Sequence, residues 1–197
     1  RPVTKGRTSD SSAMSPLETA TRVVRRLQEA GHEALFAGGC VRDMLMHRDP
    51  SDYDVATSAH PEMVLSLFRR TQKVGAKFGV ILVHEGRHTI EVATFRRDLE
   101  YSDGRRPTGV EYTTANEDAL RRDFTINGMF FDPLKNEVVD YVDGRADIER
   151  RVVRAIGDPP RRFAEDHLRL IRAVRFAARL GFEIEPATWA AMQHHAP

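Results

Sequence analysis

The chain has 197 residues, of which 41% are hydrophobic and 30% charged, and its formal net charge is +1. This composition is typical of a folded globular protein, and no stretch is apolar for long enough to span a membrane, so wholly disordered and membrane-spanning classes are excluded. The single cysteine, Cys40, cannot form an internal disulfide, and no secretory signal is recognisable, so we expect a cytoplasmic protein.

The overall charge hides a basic segment. Residues 145–180 contain ten arginines and five acidic residues, which gives a local net charge of +5. Segments of this kind are typical of sites that bind phosphate or RNA, and we expect such a site here. The alternative that composition leaves open is a solvated helix face.

The first half of the chain predicts alternating helices and strands. Residues 1–14 are polar and lack periodicity, so we expect a disordered leader. Residues 15–18 combine an N-cap serine, a proline and a capping-box glutamate, which predicts a helix that ends at Gly31. The further predictions are a strand at 34–37, a glycine turn at 38–39, a helix at 41–46, a strand at 52–56, a helix at 61–70 and a hairpin with strands at 80–84 and 89–94.

The second half begins with residues 97–115, which are polar and rich in turn formers. This composition predicts a long mobile loop of a functional kind. A helix at 117–127 and a hairpin through 132–136 follow. We then predict one long helix from 158 to Leu180, ended by Gly181. Its apolar stripe would consist of Phe163, Leu168, Ile171, Val174 and Ala178.

Two aspartates on the strand at 52–56 are candidates for metal binding. The period of two along a strand places Asp52 and Asp54 on one face and Tyr53 on the other. Two carboxylates together with substrate phosphates are the usual way in which proteins hold Mg²⁺. Taken alone, such a pair is more often a surface or turn feature.

The glycine turn upstream supplies the context for these aspartates. Gly38 and Gly39 sit between a strand and a helix, where the backbone can approach a phosphate closely, and Arg42 follows as a possible clamp. This GGxVRD segment, followed about ten residues later by DxD, resembles the signature of the tRNA nucleotidyltransferase and bacterial poly(A) polymerase family, within the DNA polymerase beta superfamily.

Two downstream segments extend the resemblance. Residues 121–127, RRDFTIN, resemble a family motif whose polar groups contact the triphosphate and ribose; the matching residues are Arg121, Arg122, Asp123 and Asn127. Residues 165–169, EDHLR, resemble the motif on the family's neck helix, and later arginines match as well; the positions carried over are Glu165, Asp166, Arg169, Arg172 and Arg175. Helical spacing would let Arg169 pair with both acids, and ordinary helix salt bridges are the alternative.

The resemblance implies that Asp166 and Arg169 read the edge of the incoming base while Glu165 orients Arg169. Cytosine and adenine each present an amino donor beside a ring-nitrogen acceptor, which suits a carboxylate and a guanidinium. Guanine and uracil present the reverse pattern. Glu91, on the strand at 89–94, is a candidate third metal carboxylate by analogy, and an outward-facing polar residue is the alternative.

The resemblance implies an α+β fold, in which a nucleotidyltransferase head with a small mixed sheet flanked by helices precedes an all-helical neck. We expect the head at residues 15–157 and the start of the neck at residues 158–197, without the body and tail that follow in the family. The active site should lie between head and neck.

The expected function is Mg²⁺-dependent addition of C and A to the 3′ end of tRNA from CTP and ATP, with two Mg²⁺ ions and Asp52 and Asp54 as the catalytic acids. The alternatives are a poly(A) polymerase, an enzyme that adds only CC or only A, and a binding protein that has lost catalysis. The GRRP sequence at residues 104–107 resembles the flexible loop of CCA-adding enzymes. The oligomeric state stays open, and no membrane partner is expected.

Overall fold

A computed structural model describes residues 14–196 of the chain. The predicted leader therefore lies outside the described residues, apart from Met14. The first helix, α1 (Pro16–Glu29), begins as predicted, because Ser15 Oγ accepts from the Glu18 amide at 3.1 Å and the Glu18 carboxylate accepts from the Ser15 amide at 2.8 Å. This reciprocal capping box satisfies amide groups that would otherwise have no partner in the first turn.

Eight helices and eleven strands are present among residues 14–196. In chain order the elements after α1 are β1 (Ala34–Ala37), α2 (Gly39–Leu45), β2 (Asp54–Thr57), α3 (Pro61–Leu67), β3 (Thr71–Gly75), β4 (Val80–Glu85), β5 (His88–Thr94), β6 (Arg96–Asp98), β7 (Val110–Tyr112), α4 (Ala115–Leu120), β8 (Phe130–Asp132), β9 (Glu137–Val139), α5 (Gly144–Arg150), β10 (Val152–Val153), α6 (Pro159–Glu165), α7 (Leu168–Leu180), β11 (Glu183–Ile184) and α8 (Pro186–His195).

The central sheet has seven strands in the order β3-β4-β5-β2-β1-β8-β9. β2 and β5 are parallel and the other neighbours are antiparallel, so the sheet is mixed, as predicted. β3 was not predicted, because most of its side chains are exposed and it lacks an apolar alternation. No helix within residues 14–196 is long and apolar enough to cross a membrane.

The two faces of the sheet bury different side chains. Phe36, Val55 and Val92 lie on the face that α1 covers. Ala56 and Phe95 belong to a second cluster on the opposite face. Because side chains alternate along a strand, Asp54 and Glu91 project on the face away from α1.

Residues 97–115 are more ordered than predicted. β6 and β7 pair in antiparallel register at the two ends of this segment and form a separate two-stranded sheet. The Thr113 amide donates to the Phe95 carbonyl at 2.9 Å, which ties the segment to the end of β5. The prediction of a loop throughout this segment was therefore wrong at its two ends, because backbone pairing does not require an apolar pattern.

The predicted helix at 117–127 is interrupted. α4 ends at Leu120, and a short 3₁₀ turn covers Thr125–Asn127. Between them Phe124 is extended, with φ −125° and ψ 151°, fully buried and bridged to Ala155. Burying this ring and pairing its backbone with a distant segment is incompatible with a continuous helix.

The predicted long helix at 158–180 is also interrupted. α6 and α7 are separated by Asp166 and His167, and the His167 amide donates to the Gly104 carbonyl at 3.0 Å. The interruption changes which face of α7 is buried: within the predicted stripe only Phe163 is in the core, while Leu168, Ile171, Val174 and Ala178 are exposed. Instead α7 buries Arg169, Ala173 and Leu180. The short strand β11 pairs in parallel with β10 in this part of the chain.

Candidate active site

A cleft of about 910 Å³ opens between the central sheet and α7. Most of the predicted site residues line it, although they come from four separate parts of the sequence. They are Gly38, Gly39, Arg42, Asp52, Asp54, Arg121, Arg122, Asp123, Asn127, Asp166, Arg169 and Arg172. Among the predicted residues, Glu165, Arg175 and Glu91 do not line this cleft within the described chain.

Asp52 and Asp54 lie at the start of β2 and face the cleft. Tyr53 between them is buried, with its ring 5.2 Å from that of Phe36, so the two carboxylates share the opposite side, as predicted. The strand itself begins only at Asp54. Although Asp54 keeps surface open to the cleft, the surrounding protein walls limit its hydration; this burial, together with the nearby Glu91 carboxylate, raises its pKa to about 6.

Glu91 lies directly opposite Asp54 in the parallel pairing of β2 and β5. Its charge disfavours ionisation of Asp54, which indicates negative charge in excess at this point. No three His, Cys, Asp or Glu side chains among residues 14–196 converge closely enough to form a metal site by themselves. The carboxylates of Asp52 and Asp54 would be stabilised by a nearby cation. They suit Mg²⁺, which completes its coordination with water and substrate phosphates.

The glycine turn brings two guanidinium groups beside the backbone. Gly38 has φ +79°, a conformation that favours glycine, and a Cβ atom there would lie 3.4 Å from Arg122 Nη1. Arg42 is buried: its Nη1 donates to Asn127 Oδ1 at 2.6 Å and its Nε donates to Asp43 at 3.0 Å. These contacts fix the arginine at the cleft wall, where it can meet a phosphate group.

The turn after α4 concentrates positive charge. Arg121 and Arg122 both contact Asp118, which is 1% exposed, at 3.4 Å and 2.9 Å. Burial and the neighbouring Arg122 guanidinium lower the pKa of Arg121 to about 10. One carboxylate does not balance two arginines, so an anionic ligand such as a triphosphate would be stabilised here.

Asp123 links this turn to α7. Its carboxylate accepts from the Phe124 amide at 2.7 Å, from Asn127 Nδ2 at 3.3 Å and from Arg172, whose Nη2 lies 2.6 Å away. Arg172 therefore lies at the cleft through an ion pair with the turn that follows α4, and its spacing in the sequence did not indicate this contact.

The two acids of the EDHLR segment have different partners. Glu165 Oε2 accepts from Arg169 Nη1 at 3.1 Å, as predicted. The expected pairing of Asp166 with Arg169 through helical spacing was wrong, because Asp166 is extended, with φ −145° and ψ 106°, and its carboxylate accepts from the Leu168 amide at 3.0 Å. Asp166 and Arg169 nevertheless both line the cleft, and Arg169 is almost completely buried.

Arg175 lies away from the cleft. It is exposed on α7 and borders a separate apolar groove together with Trp189 and Met192. Its assignment to nucleotide binding has no geometric support here. Further cleft residues come from the segment 97–115; they are Asp98, Tyr101, Arg105, Arg106 and Pro107. Their sequence signals were the turn-rich composition of the segment and, for residues 105–107, the GRRP sequence. Arg162 of α6 lines a neighbouring pocket rather than this cleft, and its place in the basic segment was its only sequence signal.

The mixed sheet, with two carboxylates and several arginines around one cleft, defines a nucleotidyltransferase head. A family model described as the poly(A) polymerase head domain matches residues 34–154, and the chain belongs to this family. It is 47% identical over 180 residues to the CCA-adding enzyme of Bacillus pumilus. The aligned region covers 90% of this chain and 44% of that protein.

Solved structures show the same similarity. The Bacillus stearothermophilus CCA-adding enzyme in complex with CTP superposes with a TM-score of 0.85 at 38% identity, covering 93% of this chain and 44% of that one. A tRNA nucleotidyltransferase complexed with a primer tRNA and an incoming ATP analog gives a TM-score of 0.73 at 30% identity, covering 87% and 49%. The chain thus spans less than half the length of these relatives.

Proposed function

We propose that the protein adds C and A to the 3′ end of tRNA, using CTP and ATP and releasing pyrophosphate. The observation that carries the proposal is that one cleft contains the two carboxylates, the phosphate-binding arginines and the pair Asp166 and Arg169. Relatives named CCA-adding enzymes, one of them bound to CTP, support it. A tRNA substrate also supports a cytoplasmic location.

Asp52 and Asp54 are the proposed metal-binding and catalytic acids, with Glu91 as a possible third carboxylate behind Asp54. Mg²⁺, when bound, would polarise the phosphate oxygens and lower the pKa of the attacking 3′-hydroxyl, and two such ions are the usual arrangement for this chemistry. The role of the carboxylates is to hold that charge at the start of β2. No residue of the chain forms a covalent bond to the nucleotide in this proposal.

The guanidinium groups of Arg42, Arg121 and Arg122 would orient the triphosphate. The 3′-hydroxyl oxygen of the RNA gives up its proton to solvent water and forms a new bond to the α-phosphorus. The bond from that phosphorus to the bridging oxygen breaks in line, and pyrophosphate leaves with the electron pair. Catalysis then consists mainly of positioning and charge stabilisation. Asn127 holds Arg42 at the cleft wall, and Asp123 holds Arg172 of α7 there.

Base selection is assigned to Asp166 and Arg169, with Glu165 holding Arg169. A carboxylate acceptor beside a guanidinium donor matches the amino group and ring nitrogen of cytosine and of adenine. Guanine or uracil would leave buried polar groups without partners, at about 1–3 kcal/mol for each group. A site of this kind needs no nucleic-acid template.

Two other functions share much of this site. A poly(A) polymerase would repeat the addition of A, and a split-function enzyme would add only CC or only A. A binding protein that has lost catalysis has no need of both Asp52 and Asp54. The curated relatives named CCA-adding enzymes favour CCA addition among these possibilities.

Primer extension with the full-length protein tests the proposal. The substrates are tRNA transcripts that end before CCA, after C and after CC, supplied with Mg²⁺ and each nucleotide singly or with CTP and ATP together. The expected result is the completion of CCA followed by a stop. A growing tail with ATP alone would identify a poly(A) polymerase, and nucleotide binding without extension would identify a binding protein.

A further inference from the structure

Arg162 of α6 joins two parts of the candidate site. Its Nη2 donates to the backbone carbonyl oxygens of Arg121 and Arg122, at 2.5 and 2.7 Å, and its Nη1 donates to Glu165 Oε2 at 2.8 Å. Only 12% of the side chain is exposed. One planar guanidinium therefore contacts both Glu165, which holds Arg169, and the turn at residues 121–122, named here the phosphate-binding turn because its two arginines are proposed to orient the triphosphate.

These contacts continue into a closed set of hydrogen bonds. Glu165 Oε2, which accepts from Arg162, also accepts from Arg169 Nη1 at 3.1 Å. The same Arg169 nitrogen donates to the backbone carbonyl of Arg162 at 2.8 Å. The position of Arg169 relative to residues 121 and 122 is thus fixed through Arg162, both by its side chain and by its backbone.

The electrostatics do not favour Arg162 as a simple stabilising residue. Burial and the neighbouring Arg169 charge lower its pKa, and its Nε has no hydrogen-bond partner within residues 14–196. A buried charge next to a like charge is costly, and buried ion pairs contribute little net stability compared with apolar packing. What this arrangement provides is a defined geometry between two binding elements.

We propose that Arg162 is a positioning residue that determines base selection, by setting the distance between the phosphate-binding turn and Arg169. This inference rests on the proposed nucleotidyl transfer. With the triphosphate held at Arg121 and Arg122, the base reaches Arg169 only if the turn and α7 keep their spacing. Hydrogen bonds weaken steeply when donor and acceptor are displaced or misaligned, so a small shift of Arg169 removes the preference for one base edge over another.

The experiment compares kcat/KM for CTP and UTP on a tRNA transcript that ends before CCA, using the full-length protein. We expect the CTP-to-UTP ratio to fall about tenfold in Arg162→Ala, the loss expected when a charge-assisted hydrogen bond of about 1.4 kcal/mol is removed. Arg162→Lys should lose the ratio as well, because an ammonium cannot donate to two carbonyls and a carboxylate in one plane.

Arg161→Ala is the matched control. Arg161 is the adjacent residue on α6 and lies 3.5 Å from Glu165 Oε1, but its side chain is 79% exposed. Within the described part of the chain, the Arg161 side chain makes no hydrogen bond to residues 121 and 122. Its substitution should leave the ratio unchanged. A similar fall in Arg161→Ala would show that any charge beside Glu165 has this effect and would overturn the specific role of Arg162.

The other outcomes also decide the question. An equal loss of kcat/KM for CTP and UTP in Arg162→Ala, or full recovery of the ratio by Arg162→Lys, would overturn the proposal in favour of a structural role. If circular dichroism shows that Arg162→Ala does not fold, Arg162→Lys gives the answer. If the unmodified protein extends no tRNA, the proposed function fails, and the ratio of CTP to UTP affinities measured by calorimetry then tests Arg162 separately.

Discussion

Arg42 and Asn127 are 85 residues apart in the sequence, and Arg42 Nη1 donates to Asn127 Oδ1 across 2.6 Å. Both side chains are buried. Asn127 Nδ2 in turn donates to Asp123 at 3.3 Å, so the glycine-turn segment and the RRDFTIN segment form one hydrogen-bonded unit. The two motifs that were found separately in the sequence therefore act on the cleft together.

Asn127→Ala should impair nucleotide binding more than folding. Removal of the amide leaves Arg42 with Asp43 as its only polar side-chain partner among residues 14–196, so the guanidinium can turn away from the cleft. We expect KM for CTP to rise about tenfold and the free energy of unfolding to fall by about 1–2 kcal/mol. Steady-state kinetics and urea unfolding measure the two effects. Asn116→Ala, at an exposed position of α4, should change neither quantity, and an unchanged KM in Asn127→Ala would contradict this role.

Asp54→Asn should stabilise the protein at neutral pH. The folded state raises the Asp54 pKa from 3.8 to about 6, so the folded protein binds more protons than the unfolded chain between these values and loses stability as pH rises through this window. The asparagine removes that loss. Because the carboxylate keeps solvent-accessible surface, we expect a gain of only about 1 kcal/mol at pH 7.5, which vanishes below pH 3.8.

Urea unfolding at pH 7.5 and at pH 3.5, in the absence of divalent cations, measures this difference. Addition of Mg²⁺ at pH 7.5 should stabilise the unmodified protein and have less effect on the variant, because a bound cation favours the ionised carboxylate. A variant that is less stable than the unmodified protein at pH 7.5 would show that Asp54 is not held under electrostatic strain.

Asp52→Ala and Asp54→Ala should each abolish transfer while leaving the fold intact. The carboxylates face the cleft rather than the core, so their removal costs little packing, whereas loss of metal-dependent charge stabilisation should lower kcat by at least about a thousandfold. Primer extension and circular dichroism check both parts. Asp49→Ala, at a nearby exposed position, is the control and should retain activity. Retained activity in both cleft variants would remove the basis of the proposed function.

The sequence predicted those parts of the fold in which local signals and tertiary packing agree. The capping box of α1, the glycine turn and the alternation around Tyr53 are local features, and all are confirmed. The predictions that failed depend on contacts between distant residues. The predicted helix at 117–127 is interrupted because Phe124 packs against and pairs with a segment about thirty residues later. No local sequence pattern predicts this contact.

The interruption between α6 and α7 shows the same limit in the site. In a continuous helix, Asp166 would lie beside Arg169, and Ile171 would lie in the core. Helical spacing alone leads to both expectations. The break at Asp166 and His167, where His167 bonds to Gly104, changes the phase of α7. Motif matching still identified twelve residues that line the cleft, because it depends on which residues are present and not on the path between them; it also selected Arg175, which lies away from the cleft.

Gly144→Ala should be strongly destabilising because of a steric clash. Gly31→Ala is the comparison, because it introduces backbone strain without a clash. A Cβ atom on Gly144 would lie 2.1 Å from the Thr125 carbonyl oxygen and 2.9 Å from Met129 Cγ, so the first turn of α5 would have to move away from the turn that carries Asn127. We expect a loss of about 3 kcal/mol. Gly31 has φ +87°, but no heavy atom of the described residues lies within 4 Å of a Cβ atom placed there, so its substitution should cost only about 1–2 kcal/mol of backbone strain. Thermal and urea unfolding of both variants measure the difference, and equal losses would show that the close approach of α5 to Thr125 is not what requires glycine.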